Sequence, residues 1–201
     1  MKKFLFPFIA LATITLTSFS YSSTLPIGAP MPLAERKMKD VSGKEVSLAD
    51  AKKEKGLLVM FSCNTCPYVV KNQQRTKDVS AYAQQNGLGV ILINSNDAQR
   101  DGDDAFEAMQ AYAKGQDYKW YYVVDNDSKL ADAFGASRTP ECFLFDKAGK
   151  LVYTGAIDDN PGNAAALNRT HLKTAIDEML SGKDIAVKTS RSVGCSIKRK
   201  S

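Results

Sequence analysis

Two stretches of the chain, "LLVMFS" at 57–62 and "LGVILINSN" at 88–96, open as unbroken apolar runs without a charge. That is the pattern of a strand covered on both faces. "YYVVD" at 121–125 reads as a third strand, and "CFLFDKAGKLVYTG" at 142–155 as two more joined by a turn at 147–149. Between these runs the pattern becomes helical. Residues 68–85 are polar and helix-compatible and end before Asn86-Gly87. Asp103 and Asp104 supply an acidic first turn for a helix that carries Phe106, Met109, Gln110 and Ala113 on one face and closes at Gly115. A short helix follows, with Asp127 or Ser128 as N-cap and Gly135 as its stop. Thr170 caps a last helix with Leu172, Ile176, Met179 and Leu180 on one face. Upstream, residues 26–50 form a short hairpin turning at Ser42-Gly43, followed by a short polar helix ending at Gly56. The order predicts an α/β fold: a mixed central sheet flanked by helices, with an N-terminal β-hairpin extension.

The 201 residues suit one domain with a sizeable core. Lys2 and Lys3, an apolar segment from 4 to about 16, and small residues after it have the three-part form of a secretory signal peptide. The segment is short for a bilayer-spanning helix, which needs about 20 apolar residues. The expectation is a signal peptide over 1–22, then one domain over 23–201 with a tail from 183, exported to the periplasm or secreted, with no stable membrane insertion after cleavage. The net charge of +5 is mild and forms no stripe, which argues against nucleic acid.

Export places the four cysteines, Cys63, Cys66, Cys142 and Cys195, in an oxidising compartment. Cys63 and Cys66 form a C-x-x-C at the junction of a buried strand and a helix. Unpaired N–H groups there favour a thiolate, the nucleophile of disulfide exchange, and the second cysteine can expel the partner. A structural disulfide this small would constrain the unfolded chain little. Zinc needs four ligands, and one C-x-x-C with a single histidine, His171, does not supply them. Copper(I) held by the two thiolates and His171 is the remaining metal alternative. No organic cofactor and no resident metal are expected. Cys142 begins an apolar strand and reads as a buried inert thiol, whereas Cys195 lies in a polar tail and could stay free, pair with Cys142 or act in the site. Glu141 reads as a solvated loop residue or as part of the site's rim.

"CNTCPYVVKNQ", "INSND", "GASRTPECFLFDKAGKLVYTGAIDDN" and the terminal "GCSIK" together resemble the peroxiredoxin-like redoxin branch of the thioredoxin superfamily, proteins related to alkyl hydroperoxide reductases. The likeness runs from about residue 26 to 199. It implies a thioredoxin-like fold and a cis Thr139-Pro140 peptide, with Thr139 and Pro140 forming the docking loop that aligns incoming sulfur substrates beside Cys63. The candidate site is therefore catalytic Cys63 and Cys66, with Glu141 beside Pro140 and Cys195 in the tail as accessory candidates. Expected partners are protein or small-molecule disulfides and an upstream thiol electron donor. Thr65 stands where family members often carry histidine, and the tryptophan that typically follows "GCSIK" is missing. The strand before the motif lacks the buried carboxylate of thioredoxins. The P-x-x-x-T-x-x-C pattern of true peroxiredoxins is missing whichever cysteine is counted from. Thiol-disulfide exchange is therefore the leading expectation, with a thiol-dependent peroxidase and a non-catalytic Cu(I)-binding protein as alternatives. The first cysteine of such pairs is normally the nucleophile, which assigns attack to Cys63 and resolution to Cys66. Pro67 argues the other way: a helix starting at Cys66-Pro67 would put Cys66 nearest the dipole.

Overall fold

The computed structural model describes residues 24–200. The expected signal segment lies outside them. Five strands form the central sheet: β3 (Leu57–Phe61), β4 (Gly89–Asn94), β5 (Tyr121–Val124), β7 (Glu141–Phe145) and β8 (Leu151–Gly155). Their order is β5-β4-β3-β7-β8. β3 runs parallel to β4 and antiparallel to β7, so the sheet is mixed and β3 is its central strand. A separate hairpin, β1 (Met38–Lys39) and β2 (Glu45–Val46), precedes it, as the turn at Ser42-Gly43 predicts.

The apolar runs are continuous because successive side chains enter two different cores. From β3, Leu58 and Met60 join one cluster and Leu57, Val59 and Phe61 the other. Val90 and Leu92 of β4 divide from Ile91 and Ile93 in the same way. The first core is closed by α3 (Gln73–Gln85), α4 (Phe106–Gly115) and α6 (His171–Leu180), through Val79, Met109, Leu172 and Ile176. The second is closed by α1 (Leu48–Ala51), α5 (Lys129–Phe134) and the hairpin, through Leu48, Leu130, Phe134 and Met38. Here Phe61, Phe134 and Phe143 meet edge to face, with ring centroids 5.0 to 5.7 Å apart.

Three expectations are corrected. The helix over 68–85 is two: α2 (Pro67–Lys71) and α3 part at Asn72, where the backbone turns to φ −93°, ψ 2°. The buried Asn72 amide holds the break by donating to the Tyr68 carbonyl at 2.7 Å and the Pro161 carbonyl at 3.2 Å. α4 begins at Phe106, not at Asp103, and Asp104 is fully buried in front of it. Ser128 holds the N-cap position of α5, one of the two residues expected there, but its side chain does not cap the helix. The buried Asp125 carboxylate accepts the N–H groups of Leu130 and Ala131, each at 3.0 Å. Gly135 ends that helix in the left-handed region at φ +62°, as its position predicts.

Candidate active site

The register of the central strands assembles the site. Phe61 of β3 pairs with Glu141 of β7. One step further, the chain leaving β3 at Ser62 and Cys63 therefore faces the chain entering β7 through Thr139 and Pro140. The Thr139-Pro140 peptide is cis. The Cys63 Sγ lies 3.5 Å from the Thr139 hydroxyl, and the Cys66 Sγ donates to the Thr139 carbonyl at 3.3 Å. Sequence positions 76 and 73 apart thus meet at one residue. All four cysteines are free thiols.

Helix α2 begins at Pro67, and Cys66 is its N-cap. Proline at the first helical position loses no hydrogen bond, because that N–H would be unpaired in any case. Cys63 stays outside the helix. Both sulfurs are nearly covered, Cys63 at 1% and Cys66 at 4% exposure. What distinguishes them is their neighbours. The Cys66 thiol is held well below the ordinary thiol value, chiefly by the hydrogen bond from the Cys63 thiol. Burial opposes this, while the Cys195 thiol, the Val69 N–H and the Cys195 N–H add to it. Cys63 moves the other way: its proton is engaged with Cys66, and burial and the negative charge of Asp104 both disfavour its thiolate. The Thr139 carbonyl favours protonated Cys66, but four donors stand against it.

Asp104 is the residue that the sequence pattern conceals. Its carboxylate accepts the N–H of Asn64 at 3.0 Å and the amides of Asn94 at 2.7 Å and Asn96 at 2.8 Å. Asn64, between the two cysteines, also accepts the Tyr122 hydroxyl at 2.9 Å. The loop carrying the motif is therefore fixed from below by a buried carboxylate that comes from the segment before α4. A single acidic residue in an acidic run gives no signal of this in the sequence.

Glu141 is buried rather than solvated. Its carboxylate accepts the N–H groups of Ser137 at 2.8 Å and Arg138 at 3.1 Å, bracing the segment that leads into the cis proline. Cys195 comes to the site through a pairing not expected from sequence. β9 (Cys195–Ser196) pairs antiparallel with β6 (Arg138–Thr139), with Thr139 opposite Cys195. Cys195 packs on the cluster of Cys63, Cys66 and Val69. Cys142 is fully buried within the first core. His171 starts α6 and lies near Asp159. Among the described residues no group of three His, Cys, Asp or Glu is arranged to hold a metal ion.

The family model described as Redoxin matches residues 26–171. The chain belongs to the Redoxin family. A hypothetical protein from Sinorhizobium meliloti is 34% identical, with 89% of this chain and 97% of that one covered and a TM-score of 0.81. An uncharacterized protein from Geobacillus kaustophilus is 31% identical, with 94% and 98% covered and a TM-score of 0.81. Among curated proteins, the thiol-disulfide oxidoreductase ResA of Bacillus cereus is 26% identical over 113 residues, 56% of this chain and 61% of the relative. The chain thus spans about three-fifths of the length of this curated relative. Redoxin membership and the mixed five-stranded sheet together place the chain in the redoxin branch of the thioredoxin superfamily, as the motifs imply.

Proposed function

We propose that this protein is a thiol-disulfide oxidoreductase in which Cys66 attacks and Cys63 resolves. The observation that carries the reading is the paired placement of both sulfurs on Thr139 of the cis-proline loop, with Cys66 alone at a helix start. The name of the ResA relative supports the reaction class. In the forward step the Cys66 thiolate attacks one sulfur of a substrate disulfide. A Cys66–substrate bond forms, and the other substrate sulfur leaves as thiolate and takes a proton. Cys63 then loses its proton and attacks the Cys66 Sγ. The Cys63–Cys66 disulfide forms, and the second substrate thiol is released. Two electrons pass to the substrate, and an upstream thiol donor must restore the dithiol. The assignment of attack differs from the sequence expectation, and Pro67 is the reason: it sets the helix start one turn beyond Cys63.

The peroxidase alternative gains no support from this geometry. The Thr139 hydroxyl faces Cys63, while Cys66 faces a carbonyl, which has no proton to donate to a peroxide oxygen. The signal segment expected over 1–22 supports an exported protein acting on disulfides outside the cytoplasm.

Reduction of insulin disulfides with a dithiol donor tests the proposal. Cys66→Ser is expected to abolish turnover. With Cys63 and Cys195 both changed to serine, substrate is expected to accumulate as a mixed disulfide on Cys66. Wild-type turnover in Cys66→Ser would overturn the mechanism.

A further inference from the structure

The proposed mechanism uses two of the three sulfurs gathered at Thr139. The third, Cys195, is held there by a built connection. The backbone of residue 194 passes so close to the cis-proline loop that a Cβ on Gly194 would lie 2.0 Å from the Thr139 carbonyl oxygen. Only glycine permits that approach. The flanking contacts fix the same segment from both sides. Arg138 donates to the Gly194 carbonyl at 3.1 Å, and the Ile197 N–H to the Ser137 carbonyl at 3.0 Å. Ile197 is buried in the second core, and the Arg199 guanidinium reaches Asp132 at 2.7 Å and the Ala136 carbonyl at 2.7 Å. A tail anchored at five points, with its one cysteine against the motif, is not a solvated end.

We propose that Cys195 is a third redox residue of this site, which takes the Cys66 sulfur from Cys63 by disulfide exchange within the chain. The inference rests on the thiol-exchange reading above. Starting from the Cys63–Cys66 disulfide, Cys195 gives up its proton and attacks the Cys66 Sγ. The Cys63–Cys66 bond breaks, the Cys66–Cys195 bond forms, and Cys63 leaves as a thiolate that takes a proton. No net oxidation occurs. Cys66 is thus the central sulfur, flanked by two alternative resolving thiols. The result is an oxidised state in which the tail, already paired beside Thr139, is covalently tied to the start of α2.

Peptide mapping reads this directly. Trypsin releases 56–71, which holds Cys63 and Cys66, and 192–198, which holds Cys195. Full-length wild type, Cys63→Ala and Cys63→Ala/Cys195→Ser are oxidised with glutathione disulfide, acid-quenched, blocked at free thiols and digested. In Cys63→Ala most chains are expected to carry the cross-link between 56–71 and 192–198. In the double variant the glutathione is expected to remain on Cys66. Cys63→Ala chains that keep glutathione on Cys66 with Cys195 free would overturn the inference while leaving the exchange reading intact. If Cys63→Ala does not fold, as judged by circular dichroism, the wild-type map decides. The cross-link alongside the Cys63–Cys66 loop supports the relay, and the loop alone overturns it. Cys66 that takes neither glutathione nor a cross-link in any chain would overturn both readings.

Discussion

Cys66 and Cys63 are almost equally hidden, so their chemistry follows from what faces each sulfur. The Cys63 thiol is the largest influence lowering Cys66. Cys63→Ala should therefore raise the apparent pKa of Cys66 toward the ordinary thiol value of about 8.5, read from the ultraviolet absorbance of the thiolate across a pH series. An unchanged titration would show that the partner thiol is not the cause. Cys142 tests the opposite shift. Burial in the core, then the charges of Glu141 and Asp158, push it well above the ordinary value. The unfolded chain then loses this proton before the folded one does. Stability must fall as pH rises past the unfolded value, by about 1.4 kcal/mol per pH unit for this group. Cys66 adds no slope there: its lowered value contributes fully above the unfolded pKa and is lost only as pH falls. Cys142→Ala should flatten the decline of urea stability above about pH 8.5 by that amount. An identical slope would refute the account. Cysteine identity and spacing were legible in the sequence. The direction of each shift was not, because Asp104 and Cys195 reach the sulfurs only through the fold.

Whether an element could be read from sequence depended on how many residues repeat its pattern. β3 and β4 present five and six buried residues in succession, enough to be recognised. β6 and β9 have two residues each and recognise one another only at the register Thr139 with Cys195. No periodicity exists over two residues. The break at Asn72 was hidden for a related reason, since it depends on Pro161 from a distant loop. The β6–β9 pairing predicts that Gly194→Ala lifts the tail. Hydrogen-exchange protection of the Ile197 N–H should drop at least about tenfold, roughly 1.4 kcal/mol. Retained protection would mean that the backbone shifts to admit the methyl. Asp104→Leu should cost on the order of 1–3 kcal/mol or more in urea denaturation, because it strands buried donors on Asn64, Asn94 and Asn96. A loss below about 0.5 kcal/mol would indicate that those groups find other partners.

On the scale of the whole molecule, the two cores take alternate side chains of the same sheet. Within the first core's cover, Arg75 of α3 ties that helix to the segment after β8. Its guanidinium meets the Asp158 carboxylate at 2.7 Å and the carbonyls of Asn160 and Pro161 at 2.9 and 3.1 Å. The Asp158 side chain is 2% exposed. Arg75→Met leaves that carboxylate without its cation and should lower stability by about 3–5 kcal/mol, measured by urea denaturation. The double change with Asp158→Asn should recover part of the loss. The fold class itself was legible because alternating strands and helices with buried runs admit few arrangements. The closing of the tail over the site was not, since polar residues near a terminus carry no folding pattern of their own.

The position of Cys195 also makes the chain's resistance to unfolding depend on which sulfurs are joined. A Cys63–Cys66 bond closes a loop of a few residues and scarcely restricts the disordered chain. A Cys66–Cys195 bond encloses about 130 residues, about three-quarters of the described chain, and a loop of that size restricts the unfolded chain by about 4–5 kcal/mol. Two oxidised forms with the same number of electrons would then melt at different temperatures. The order of synthesis separates them as well. Cys63 and Cys66 emerge together, while Cys195 follows about 130 residues later. The small loop can close early on a nascent chain; the large one must wait for the segment that carries Cys195.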